Sequence, residues 1–187
     1  HICTRYADGS MEKFRYNKRN EKISHTDRNG NTTRYSYDRK GHLTGVVDPL
    51  GNRTSITYNA EGKISVFKDP MGNSWHYHYD RCGNLCEVED PQGNLKVYQY
   101  GNGLLQKIKN ADGSMLSVTY DEAGNISAIT DADGNITAYE YDSLGRAVRT
   151  TDAEGNVTAY AYDSQNRITM ETNPLGSSRF YCYNENG

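Results

Sequence analysis

Residues Asp131–Thr151 read DADGNITAYEYDSLGRAVRTT, and Asp152–Thr172 follow as a near twin, DAEGNVTAYAYDSQNRITMET. Each copy carries Asp-x-x-Gly-Asn, a polar and threonine alternation, Tyr-x-Tyr-Asp, a second turn and a short apolar tail. Extending the alignment outward brings Gly9, Gly30, Gly51, Gly72, Gly93, Gly113, Gly134, Gly155 and Gly176 into register. Their spacing is 21 residues throughout, except for one step of 20 between Gly93 and Gly113. A fixed period of this size marks an array in which each unit buries its apolar surface against its neighbours. Residues 1–187 are therefore read as a single array of about nine units, the last cut short.

The turns are legible from their chemistry. In Asp48-Pro49-Leu50-Gly51 the aspartate opens the turn, proline sets φ at the next position, and glycine takes the left-handed position that other residues resist. All four prolines (Pro49, Pro70, Pro91, Pro174) fall at this one place. The second turn of each unit, as in Tyr37-Asp38-Arg39-Lys40-Gly41, repeats the logic without proline. Asn20 and Asn166 replace the second-turn glycine in two copies, and asparagine is the next most tolerant residue at φ > 0. Both turns suit three-residue hairpin loops with a glycine bulge. The 20-residue step reads Tyr100-Gly101-Asn102-Gly103-Leu104, where Asn-Gly signals a two-residue hairpin that absorbs the missing residue.

Between turns the side chains alternate with period two. Large residues lie two apart in each first strand: Phe14/Tyr16, Tyr35/Tyr37, Ile56/Tyr58, Tyr77/Tyr79, Tyr98/Tyr100, Val118/Tyr120, Tyr139/Tyr141, Tyr160/Tyr162 and Tyr181/Tyr183. Fifteen of the sixteen tyrosines obey this rule, Tyr6 being the exception. Tyrosines thus share one face of a strand, and mostly polar groups share the other. The second strands are weaker. Leu43, Ile64, Leu85, Leu105, Ile126 and Ile168 follow the turn, and Val46, Phe67, Val88, Ile108 and Ile129 come three residues later. The expected fold is all-β: a continuous antiparallel hairpin array of about seventeen strands. At roughly 4.8 Å per strand such a sheet is about 80 Å wide. Open sheets of that size curl or split, so the array is expected to curl into a spiral or barrel-like wall.

This pattern resolves an odd composition. Only 29 of 187 residues are Ile, Leu, Val or Phe, and the mean hydropathy is −0.90. Disorder would require a large net charge and few aromatics, yet the net charge is −3 and there are 16 tyrosines. No apolar run approaches a membrane span, no secretory leader is visible, and dispersed charge with a pI near 6.0 gives no footprint for nucleic acid. Four cysteines (Cys3, Cys82, Cys86, Cys182) are too few and too irregular for a disulfide framework. The chain starts at His1 rather than Met, and Tyr183-Asn184-Glu185-Asn186-Gly187 stops inside a second turn, so a longer array is expected.

The motif Gly-Asn-x-Thr-x-Tyr-x-Tyr-Asp-x-x-Gly, best seen in Gly134–Gly145 and Gly30–Gly41, resembles the YD repeats of RHS proteins across essentially the whole chain. The resemblance implies a spiralling β-shell. In bacterial toxins of this family the shell encloses a C-terminal toxic domain, and in teneurin-like proteins it belongs to an adhesion molecule. It implies a structural, non-enzymatic segment without cofactor, from a secreted or cell-surface protein of a bacterium. Its partners would be the other repeats and a cargo domain of the parent chain. The alternative within the family is a carbohydrate-binding, wall-binding or adhesion module. Asp48-Pro49-Leu50-Gly51 and Asp69-Pro70-Met71-Gly72 look like the family's self-cleavage motif, yet both sit in register with the ordinary first turn.

Other chemistry was weighed against the repeat. Asp131-Ala132-Asp133-Gly134-Asn135 places its glycine where a hairpin needs it, not where an EF-hand does. Cys82 and Cys86, with His76 and His78 nearby, have ligand-type side chains but straddle a turn that no other repeat echoes, so no metal is expected. No nucleophile motif or phosphate loop is present, so no catalytic residue is assigned. The candidate ligand-binding residues are Trp75, Tyr77 and Tyr79, whose rings could stack on sugars. The competing reading is that these rings pack on their cross-strand neighbours.

Overall fold

A computed structural model describes residues 2–184. Wherever the repeat demands a left-handed residue, the backbone is left-handed. Fifteen glycines have φ between 75° and 93°, and Asn20, Asn102 and Asn166 lie at 61°, 51° and 64°. In the turn after Val47 the Gly51 N–H donates to the Asp48 carbonyl at 3.1 Å, and the Asp48 N–H donates to the Asn52 carbonyl at 3.0 Å. That pair of bonds closes a three-residue loop ending in a glycine bulge, as the sequence predicts. The turn expected to finish at Gly187 lies outside the described residues.

The chain is all-β and antiparallel, and it divides into two compact units, residues 1–95 and 96–187. The first unit contains β1 (Ile2–Arg5), β2 (Met11–Tyr16), β3 (Lys22–Thr26), β4 (Thr32–Tyr37), β5 (Leu43–Val47), β6 (Arg53–Tyr58), β7 (Ile64–Lys68), β8 (Ser74–Tyr79) and β9 (Leu85–Glu89). The second contains β10 (Leu95–Gly101), β11 (Leu104–Lys109), β12 (Met115–Tyr120), β13 (Ile126–Thr130), β14 (Ile136–Tyr141), β15 (Ala147–Thr151), β16 (Val157–Tyr162), β17 (Ile168–Thr172) and β18 (Ser178–Phe180). Within each unit, every strand pairs with the next one along the chain. The expected count of seventeen is corrected to eighteen. The addition is β1, too short and polar to be recognised alone, which pairs with β2 from Ile2↔Phe14 to Arg5↔Met11.

The two hairpins of a repeat differ in register. First-turn hairpins run without interruption, as in Ser24↔Arg34, His25↔Thr33 and Thr26↔Thr32. Among the described residues every second-turn hairpin carries a β-bulge: Tyr37 faces Leu43 but Ser36 faces Gly45, leaving Thr44 over. The same slip recurs at Tyr16, Tyr58, Tyr79, Tyr100, Tyr120, Tyr141 and Tyr162. The extra residue resets the alternation. Leu43 and Val46, three apart in sequence, therefore both reach the tyrosine face, opposite Tyr37 and Tyr35.

No conventional core forms. Among the described residues Val118, at 8% exposure, is the one buried hydrophobic side chain. The tyrosine-face rings are mostly half-buried, standing opposite cross-strand residues such as Val46, Val88 and Ile108, and the alternate positions are more open.

Candidate functional site

Trp75, Tyr77 and Tyr79 lie on the tyrosine face of β8. Trp75 stands opposite Phe67 of β7, with ring centroids 5.6 Å apart and planes tilted by 52°. This lies within the range for a favourable aromatic pair. Tyr77 faces Val88, and Tyr79 faces Leu85 across the bulge. The Tyr79 hydroxyl donates to the Ile64 carbonyl at 2.9 Å, and Lys63 Nζ lies 5.2 Å from its ring centroid. Burial, followed by the neighbouring Tyr77, pushes the Tyr79 phenol above its ordinary value.

The Tyr79 hydroxyl bond is one of a series. Tyr37 donates to the Lys22 carbonyl, Tyr58 to Leu43, Tyr120 to Leu105, Tyr162 to Ala147 and Tyr183 to Ile168, at 2.7–2.9 Å, always fifteen residues back. The bulge explains the series. β5 pairs with β6 only from Gly45↔Ser55 onward, so Leu43 has no strand partner on that side. A carbonyl left without a partner is costly, and the second tyrosine of the next repeat supplies the donor. Sequence reading placed these tyrosines on one face but did not anticipate the hydroxyl bond. The available signal was that the second position is tyrosine in all nine repeats, whereas the first also admits Phe14, Ile56 and Val118.

The residue after the second-turn glycine was also missed. Arg146 Nε bonds Asp142 of its own turn at 2.7 Å, and its Nη1 reaches the Asp163 carbonyl at 3.1 Å and Asn166 Oδ1 at 2.9 Å in the next turn. Its guanidinium also covers the Tyr162 ring at 4.8 Å. His42 occupies the same place in the second repeat: Nδ1 lies 2.9 Å from Asp38 Oδ2, and the ring sits 4.7 Å from Tyr58. A hollow of about 580 Å³ beside it is lined by Asp38, Arg39, Lys40, His42, Tyr58 and Asn59, among others. Trp75, Tyr77 and Tyr79 do not line that hollow.

The acidic turns are committed to the backbone. Asp131 Oδ1 accepts the N–H groups of Asp133 and Asn135, each at 2.9 Å, and Oδ2 accepts the Asn135 amide at 2.9 Å. The Asn135 side-chain bond holds the Asp131 carboxyl below its ordinary value. The same Asp–Asn pairing recurs at Asp27, Asp48, Asp69, Asp80, Asp90, Asp121 and Asp152. Cys82 sits exposed at a turn tip, and Cys86 is the extra residue of its bulge. His76 and His78 face Glu89 and Glu87 on the opposite side of the sheet from the tyrosines. Among the described residues no three His, Cys, Asp or Glu side chains gather in a way that could hold a metal ion.

With the repeat, its bulge and its hydroxyl bonds in hand, comparison with known families is decisive. The model of the teneurin YD-shell matches residues 2–136. The chain belongs to the teneurin YD-shell family. The RHS repeat model also matches this YD-shell chain, at residues 120–156 and 141–178. Among solved structures it is similar to the Tc holotoxin pore of Photorhabdus luminescens carrying a TccC3 point variant. Sequence identity is 13%, the match covers 89% of the YD-shell chain and 12% of that chain, and the TM-score is 0.63. A TcdB2–TccC3–Cdc42 crystal structure is similar at 15% identity over 91% of the YD-shell chain and 15% of its own, with a TM-score of 0.46. Comparison with curated proteins yields no match. Among the described residues no helix is long and apolar enough to cross a membrane.

Proposed function

We propose that this YD-shell chain is wall material, one section of a longer curling β-shell that encloses or presents a toxin or effector domain of its parent protein. The observation that carries this reading is the way the repeats use their apolar and aromatic side chains. They pack against cross-strand neighbours, and in six repeats the second tyrosine closes the carbonyl that the preceding bulge leaves open. A single layer is thereby finished without a second layer over it. Likeness in fold to a chain of the Tc holotoxin pore, of which this chain spans 12%, supports a section of a larger wall. On this reading the protein is exported by, or displayed on, a bacterium. Its partners are neighbouring repeats and the enclosed segment, and the wall itself performs no chemistry.

Limited proteolysis of the full-length parent tests this. The enclosed segment should resist protease in the intact protein and become sensitive when turn glycines such as Gly30 and Gly51 are replaced together by valine. Equal cleavage in both proteins would refute enclosure. The same reading assigns Trp75, Tyr77 and Tyr79 to the wall rather than to a sugar, because Trp75 packs on Phe67 and the Tyr79 hydroxyl is taken by Ile64. Binding on a glycan array that disappears with Trp75→Ala would instead make these residues a carbohydrate site.

A further inference from the structure

The face of residues 1–95 opposite the tyrosines carries a charge pattern that wall building leaves unexplained. On β1 to β8 this face presents Arg5, Lys13, Arg15, Arg34, Arg53 and Lys68, all exposed. No aspartate or glutamate shares it before β9, where Glu87 and Glu89 stand opposite His78 and His76. Elsewhere six cations are ion-paired: Arg19 with Glu21, Arg28 with Asp8, Lys63 with Glu61, Arg146 with Asp142, Arg149 with Glu140 and Arg167 with Asp163. Among the described residues, the six cations of this face make no ion pair or side-chain hydrogen bond. A chain of net charge −3 thus sets six unpaired cations on one strand face that holds no carboxylate from β1 to β8.

Three of the six form a straight row. Arg15 faces Ser24, Ser24 faces Arg34, Arg34 faces Val47, and Val47 faces Arg53. The arginines therefore occupy alternate strands, roughly 10 Å apart at about 4.8 Å per strand. Lys68 lies one strand further and two residues off this line, opposite Ser55. Like charges held in a row repel one another, and an anionic partner relieves that cost.

The side chains between the cations decide which partner. Ser24, Thr26, Gly45, Val47, Ser55 and Thr57 are small, and none is aromatic. Single-stranded nucleic acid is held by cations interleaved with stacking rings, which this stretch lacks. Arginine forks match carboxylates in a bidentate way. A spacing of roughly 10 Å is also that of residues seven apart on a helix, at 1.5 Å rise per residue. We propose that this face docks an acidic polypeptide segment lying across the strands, with carboxylates seated on Arg15, Arg34 and Arg53. The inference stands on charge and register and does not depend on enclosure.

The test is binding of fluorescein-labelled poly-L-glutamate, about 20 residues long, to the full chain by anisotropy at low salt. Affinity should fall steeply as salt is raised through the range where the screening length drops to about 10 Å. Arg15→Thr, Arg34→Thr and Arg53→Thr combined should weaken binding by about tenfold or more, with the circular dichroism spectrum unchanged. Lys107→Thr with Lys109→Thr, on the second unit, should leave affinity unaltered. Equal binding by the triple variant would overturn the proposal. So would tighter binding of an oligothymidylate of matched charge, or of phosphatidylserine vesicles, which would move the partner to nucleic acid or to a membrane surface.

Discussion

At a first turn, Asn52 folds back onto Asp48 of the same turn and goes no further. At a second turn, Arg146 bonds Asp142 of its own turn and also the Asp163 carbonyl and Asn166 of the next. Other second turns do the same with different side chains. Arg19 reaches the Asp38 and Arg39 carbonyls, Lys40 reaches Ala60, and Lys63 reaches Gly83. At the first turns the comparable link is Arg28, which reaches back to Ser10 and Asp8. One kind of turn mainly closes itself, and the other ties repeats together. The bulge and its tyrosine bond lie beside the second turn, so coupling between repeats is concentrated there.

Replacing a glycine in each kind of turn should show the largest difference. Gly83 has φ +86°, and a β-carbon there would come within 2.1 Å of Lys63 Nζ. Gly51 has φ +88° with nothing within 4 Å. Left-handed strain costs about 1–2 kcal/mol in both. Gly83→Ala should lose about 1 kcal/mol more, because Lys63 must leave its bond to the Gly83 carbonyl. Urea unfolding of the two variants measures the gap. Equal destabilisation would mean that the Lys63 link contributes nothing.

What the sequence made visible follows from how local each cause is. The turns were legible because Gly51 or Asn20 must itself take the left-handed backbone, whatever its neighbours do. The tyrosine face was legible because alternation in a strand is a property of the strand alone. The bulge was present only indirectly, in the three-residue spacing of Leu43 and Val46, and its meaning required the partner strand. The bond from Tyr58 to Leu43 was further removed still. It exists because a bulge in one hairpin leaves a carbonyl facing the next, and that is a relation among three strands. The exposed row Arg15, Arg34, Arg53 was hidden for a related reason: dispersed along the sequence, the three come into line only across the register.

A smaller contrast separates the two tyrosines of one pattern. Tyr58→Phe keeps the ring but leaves the Leu43 carbonyl without its donor, which should cost about 1 kcal/mol since the carbonyl is part-exposed to water. Tyr35→Phe, at the first position, keeps its ring opposite Val46 and should change stability by less than about 0.5 kcal/mol. Thermal unfolding of both variants is the measurement. If the Tyr35 variant is the weaker protein, the hydroxyl series is incidental to stability.

Acid should reveal the finest difference. Thirteen of the fourteen aspartates have carboxyls held below the ordinary value of 3.8. A group whose folded value is depressed contributes stability above its unfolded value, and that contribution is lost as pH falls through the folded one. The protein should therefore weaken below about pH 4. At the first turns the depression comes chiefly from an asparagine amide, as with Asp48 and Asn52. Asparagine already serves in aspartate's place at Asn110, which donates to Ser114 Oγ at 2.9 Å. Asp48→Asn, Asp69→Asn and Asp90→Asn combined should thus keep the turns at pH 7 and move acid unfolding, followed by circular dichroism, to lower pH. Asp142 is held chiefly by its hydrogen bond from Arg146. Asp142→Asn removes the carboxylate that orients the arginine toward the next repeat, so this variant should already be weaker at pH 7. If Asp142→Asn instead matches the first-turn variants at neutral pH, the second turn is no more of a joint between repeats than the first.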